Sequence, residues 1–182
     1  MKKALLILGL ILVSCSEDNR DCCTDPNEDN NPLYIAENGI TIKAKDWADV
    51  GDQGEISGIT YTIVSNETIR VNRTNVCTSR VTEMYELFYQ NSSFNEDISS
   101  WDVSNVTDMN YMFYQAESFN QDISKWDVSN VTFIGFMFYN ANLFNQDLSS
   151  WDVERVDNCY GFSFDANSWT LPKPNFTNCN PD

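Results

Sequence analysis

Three tryptophans, Trp101, Trp126 and Trp151, stand 25 residues apart. Each sits in nearly the same phrase: DISSWDVSNV, DISKWDVSNV, DLSSWDVERV. A fixed period of this length marks a chain that folds by stacking one small unit on the next. A unit this short cannot bury an apolar face alone, so its apolar residues must meet their own copies above and below. Cutting the chain at Val81, Val106, Val131 and Val156 aligns three good copies and a decayed fourth. The columns read Met84, Met109, Ile134, Cys159; then Phe88, Phe113, Phe138, Ser163; then Phe94, Phe119, Phe144, Trp169; then Ile98, Ile123, Leu148, Lys173.

Apolar spacing changes character within a unit. Val106, Met109, Met112, Phe113 and Ala116 step by three, three, one and three, the spacing of one face of a short helix. Ser104 or Asn105 is placed to cap it, and Asp108 falls in its first turn, where a carboxylate suits the helix dipole. Trp101 and Val103 alternate as a short strand would. The expected fold is therefore α/β: a short solenoid with one helix and one strand per 25-residue repeat. A buried aromatic side chain removes about 150–250 Å² from water, worth roughly 4–6 kcal/mol before entropy. The Trp and Phe columns are expected to be core, with an exposed aromatic stripe for carbohydrate or peptide as the alternative.

The phrase FNQDISxWDVSNVTxMxxMFYxA resembles the BspA-like leucine-rich-repeat surface proteins of bacteria. The resemblance covers Val81 to about Trp169, and GITIKAKDWADVGDQGEISGITYTIV is similar to the segment that often precedes such arrays. It implies a leucine-rich-repeat-like solenoid on the cell surface, roles in adhesion or in binding host and neighbouring-cell molecules, and no catalytic residues. The chain departs from the family in having few repeats.

Lys2 and Lys3 precede an apolar run, Ala4 to Val13, too short to span a bilayer but suited to a signal-peptide core. Leu12-Val13-Ser14-Cys15 resembles a bacterial lipobox, which implies cleavage between Ser14 and Cys15 and lipid attachment to Cys15. Two or three acyl chains suffice for stable anchoring. The polar, acidic stretch that follows reads as a flexible tether. Its start, Ser16-Glu17-Asp18, is similar to export tags that send lipoproteins to the outer face of the outer membrane. The expected location is lipid-anchored in the bacterial outer membrane, facing outward.

The formal net charge is −16, from 11 basic and 27 acidic residues, which disfavours nucleic acid and anionic lipid as ligands. The repeat stacks carboxylates into columns: Asp97, Asp122, Asp147, and Asp102, Asp127, Asp152, beside Asn95, Asn120, Asn145. Stacked carboxylates repel unless donors or a cation compensate. Backbone and Asn donors are the first expectation. Calcium between units is the alternative, without a DxDxDG-type loop to support it. The sequence has no histidine, which excludes Ser-His-Asp and Cys-His catalysis in their usual forms. Without histidine or a CxxC pair, zinc is disfavoured too. Of the 6 cysteines, Cys159 and Cys179 both lie in the decayed unit and are the candidate disulfide. Cys77 is placed to reach Cys22 or Cys23.

The expected organisation is a signal peptide over 1–14, a tether over 15–32, a β-rich N-terminal cap over 33–80, three repeats over 81–155 and a degenerate repeat with C-terminal cap over 156–182. Ile40–Ala44 and Gly58–Val64 alternate as strands. The expected function is non-catalytic recognition or adhesion, with a protein or glycan ligand. A structural coat or spacer without a specific ligand is the alternative. Specificity is expected where otherwise repeating units vary: Glu83, Asp108 and Phe133, or Ser100, Lys125 and Ser150.

Overall fold

Every strand lies before the repeats begin. In the computed structural model, which describes residues 30–182, β1 (Leu33–Ile35) pairs antiparallel with β2 (Ile42–Ala44). A second sheet has the order β3 (Gln53–Ile56), β4 (Ile59–Ile63), β5 (Val76–Cys77), antiparallel and then parallel. The β3–β4 hairpin turns through Ser57 and Gly58, both at positive φ (53° and 81°), a twist that suits a two-residue connection. Leu33, Ile42, Ala44, Ala48, Ile63 and Cys77 form a small core of their own. A 3-10 turn, Thr68–Arg70, then buries Ile69 against the first repeat. The expected signal peptide, Ser14, Cys15, and the tether as far as residue 29 lie outside the described residues.

The expected helix-and-strand solenoid does not form. Among the described residues there is no α-helix, and no strand lies beyond Cys77. The stretch expected to be helical is a run of turns. Met112, Tyr114 and Ala116 donate backward to the carbonyls of Met109, Tyr111 and Phe113 (3.2, 3.1 and 3.0 Å). The intervening residues donate forward into the next copy: Met109 to Phe133 O, Tyr111 to Gly135 O, Phe113 to Met137 O and Gln115 to Tyr139 O, at 2.8–3.0 Å. An α-helix would send every N–H to its own i−4 carbonyl. Here half of them leave the unit.

Left-handed residues recur to make this possible. Glu86, Tyr111, Phe136 and Gly161 form one positive-φ column, and Gln90, Gln115, Asn140 and Asp165 another. A run of turns with a left-handed residue every fourth position gives the same three-and-four apolar spacing as a helix. That is the physical reason the helix expectation fails. The Trp101 to Val103 stretch is likewise two turns, closed by Trp101 N–H to Ile98 O and Val106 N–H to Val103 O. Pairing between copies is limited to a column of isolated parallel bridges, Glu83–Asp108–Phe133–Asn158. Asn105 and Asn130 are not helix caps. Each donates to the carbonyl of the preceding copy, at Ser79 (2.9 Å) and Ser104 (2.8 Å).

What holds the units is the aromatic core. Phe88, Phe113 and Phe138 stack at 5.5 and 5.4 Å, and Phe94, Phe119 and Phe144 at 5.6 and 5.7 Å. Trp101, Trp126 and Trp151 are buried. The indoles of Trp126 and Trp151 donate to Ile98 O and Ile123 O of the preceding unit, both at 3.2 Å. A buried indole N–H needs such a partner. The fourth unit repeats the same turns, and its Phe162 meets Phe138 edge-on and Trp169 at a tilt of 50°. Cys159 and Cys179 are joined as a disulfide that ties the last unit to the C-terminal segment. Residues 31–182 make one compact unit.

Candidate functional site

The acidic columns are satisfied internally. Asp97, Asp122 and Asp147 each accept the N–H two residues on, at 2.9, 2.9 and 3.0 Å. Asp102, Asp127 and Asp152 do the same at 3.2, 3.2 and 3.1 Å. Hydrogen bonds from Ser124 and Ser149 hold the Asp122 and Asp147 carboxyls below the usual carboxylate range. Asn95, Asn120 and Asn145 bridge units through Oδ1, accepting from Asn120, Asn145 and Thr170 N–H at 2.8–2.9 Å. Among the described residues no group of three or more Cys, Asp or Glu side chains is arranged to hold a metal ion.

Asp102 differs from its copies because it is buried. It accepts from Ser79 Oγ (2.6 Å) and Ser104 Oγ (2.7 Å), with Lys43 Nζ at 3.5 Å. It locks β2 and the segment after β5 onto the first repeats, a structural duty. Cys77 is a buried thiol near Ile42 O and Ser79 Oγ, and burial raises its pKa. Its suggested partners Cys22 and Cys23 lie outside the described residues.

The chain leaves its side chains open on a different surface. The turns that replace the expected helix carry a second set of rings, pointing away from the core. Tyr89, Tyr114, Tyr139 and Phe164 stack face to face at 4.9, 4.7 and 5.7 Å, within 12° of parallel. Tyr85, Tyr111, Phe136 and Tyr160 run beside them, at 5.9, 5.2 and 5.4 Å between neighbours. Tyr111 and Phe136 also touch the first column, at Tyr114 and Tyr139. Eight rings thus form one network on the solvent side: Tyr85, Tyr89, Tyr160 and Phe164 are exposed, and the other four are half-buried. Phe136, Tyr139, Tyr160, Gly161 and Phe164 line a cleft of about 190 Å³ at the C-terminal end. Gly161 is required there: a Cβ would lie 2.6 Å from the Phe136 ring.

Carboxylates flank the rings. Glu86 stands beside Tyr85, and its hydrogen bond raises the phenol pKa. Asp108 is raised by burial, with Glu83 adding to the shift and the Asn110 N–H opposing it. Of the variable positions, Glu83, Asp108 and Phe133 fall in the bridge column, with Phe133 exposed. Ser100, Lys125 and Ser150 lie on another stretch of each unit, where Ser150 Oγ donates to Ser124 O. No hydrogen bond, ion pair or ring contact joins the two sets among the described residues, so they are not brought together as one site.

Residues 59–173 match the family described as "Mycoplasma protein of unknown function, DUF285". The match spans well over half of the 182 residues. The chain belongs to that family. No curated protein and no solved structure gives a significant match. The matched stretch runs from β4 through the fourth unit and encloses all eight exposed-face aromatics, so this surface is part of what the family model describes. The sequence signal for it was the second aromatic of each MFY phrase. That position stays aromatic at Tyr89, Tyr114, Tyr139 and Phe164, even in the decayed unit where its core neighbour becomes Ser163.

Proposed function

We propose that the protein is a non-catalytic recognition module, held at a membrane surface by lipid on Cys15 and binding a partner through the exposed aromatic face. The observation that carries this reading is the eight-ring network on the solvent side of the units. A contiguous exposed apolar patch marks an interaction surface more often than it marks structure, and tyrosine gives contact area at small entropic cost. Tyr111 and Phe136 are held at positive φ, 58° and 54°. Bulky side chains rarely accept that conformation, and such strain concentrates at functional surfaces. The absence of histidine and the internal use of the Asp columns support a non-catalytic role. Resemblance to bacterial BspA-like surface proteins supports adhesion as the setting.

The test compares the full chain with a Y89S/Y114S/Y139S variant for adhesion to cells and extracellular matrix and for retention on a glycan array. The expected result is loss of binding with an unchanged circular dichroism spectrum. Equal binding by the variant removes the aromatic face from the reading. No ligand for the parent on any surface supports the alternative of a coat or spacer.

A further inference from the structure

Two of the aromatic columns end on a cation. Arg73 Cζ lies 5.3 Å above the ring of Phe88, the first member of the inner phenylalanine column. Lys173 Nζ lies 5.4 Å from the ring of Trp169, the last member of the Phe94–Phe119–Phe144 column. A ring face left over at the end of a stack is electron-rich, and a guanidinium or ammonium satisfies it.

The exposed column has no such cap at its C-terminal end. Phe164 stacks on Tyr139 through one face, and no ring or cation covers the other among the described residues. It is 57% exposed, and its neighbour Tyr160 is 59% exposed. The residue after it, Asp165, is exposed and fixed at φ +57°. Farther along the face stand Glu83, Glu86 and Asp108. Basic residues are scarce here: between 81 and 165 the sequence has only Lys125 and Arg155. Lys125 lines a separate depression with Trp101 and Asp127, and Arg155 donates to Asn130 Oδ1 at 2.9 Å. Arg70, at the opposite end, is spent on Tyr85 O at 3.0 Å.

We infer that the cleft at the C-terminal end of the tyrosine column takes an arginine or lysine side chain from a basic partner polypeptide. The cleft lined by Phe136, Tyr139, Tyr160, Gly161 and Phe164 supplies ring surface for the apolar stem and the charged head. The −16 charge of the chain draws such a partner from a distance and repels acidic ones. An acidic or neutral glycan offers no cation for this end of the stack. The inference rests on the recognition reading and narrows it to a partner chemistry.

The experiment titrates the full chain with acetylated hexa-arginine and with acetylated hexa-glutamate, by calorimetry at low ionic strength. Hexa-arginine is expected to bind and hexa-glutamate not to. F164L keeps apolar bulk and removes the ring, and is expected to weaken hexa-arginine binding about two- to thirty-fold. V71S, at an exposed apolar residue before the repeats and outside the aromatic face, is expected to leave it within error. Equal affinity of parent and F164L, with folding verified by circular dichroism, means diffuse electrostatics and overturns the inference. So does an absence of hexa-arginine binding by the parent. Adhesion that depends on Tyr89, Tyr114 and Tyr139, without ring-dependent arginine binding, overturns this inference alone. Loss of both removes the recognition reading as well.

Discussion

At Phe136 the difference between a helix and a run of turns becomes measurable. Its φ is +54°, and its ring touches Tyr111, Tyr139 and Tyr160. Replacing it with alanine or with glycine removes the same ring contacts, so the difference between the two variants isolates the backbone. An L-residue in the left-handed region costs roughly 1–2 kcal/mol relative to glycine. Glycine gives back about 0.4–1 kcal/mol through its greater freedom in the unfolded chain. F136G is therefore expected to be more stable than F136A by about 0.5–1 kcal/mol. In a helix the order reverses, with alanine ahead by about 0.8–1 kcal/mol. Urea unfolding followed by circular dichroism resolves this as a midpoint difference of a few tenths molar, taking a slope of about 2 kcal/mol per M. The column supplies its own control, since its fourth member is already Gly161 at φ +66°. G161A is expected to destabilise, because its Cβ meets the Phe136 ring. If F136A proves more stable than F136G by about 1 kcal/mol, the turn-built backbone is wrong.

W126A removes a buried indole that stacks on Trp151 at 6.5 Å and donates to Ile98 O, and is expected to cost about 3–5 kcal/mol in chemical denaturation. Reducing Cys159–Cys179, which are 20 residues apart, is expected to cost about 3 kcal/mol on the chain-entropy account, read as a fall in melting temperature with dithiothreitol that C159S/C179S no longer shows. Asp108 has a raised folded pKa, so its contribution to stability falls as pH rises through that value. D108N keeps the turn, as Asn158 does by accepting from Tyr160 N–H, and is expected to melt higher than the parent at pH 7, with the gain fading below about pH 4. Asp122 and Asp147 have lowered folded pKa values, so their contribution is present above the unfolded value, about 3.9, and lost as pH falls through the folded one. The deficit of D122A/D147A against the parent, measured by thermal melts across pH, is expected to vanish in acid.

The register was readable in the sequence, but the backbone that carries it was not. Twenty-five-residue columns placed the Phe and Trp residues next to their copies, and those residues are buried. Alternation at Gly58–Val64 and Ile40–Ala44 coincides with β4 and β2. The helix was misread because Met109, Met112, Phe113 and Ala116 have the same spacing in either backbone. Positive φ at Tyr111 and Phe136 leaves no composition signal, since aromatic residues seldom adopt it. Asn140, Gly161 and Asp165 at the equivalent positive-φ positions were the weaker hint, because Gly, Asn and Asp tolerate that region better. The exposed aromatic face was hidden for a related reason. The tyrosine beside each buried phenylalanine reads as a flank of the helix, and only the alternation of forward and backward donors turns it outward. Neither variable triplet, Glu83/Asp108/Phe133 or Ser100/Lys125/Ser150, led to the rings.

The forward donors have one more consequence. Each unit hands the next the same hydrogen bonds that it receives from the one before, and the aromatic columns continue at a constant step. Removing one whole period, such as residues 107–131, joins a unit to a neighbour of the same shape and leaves the disulfide-tied end unchanged. The number of units, and with it the number of rings in the exposed column, is a quantity that can change one period at a time without a new kind of contact.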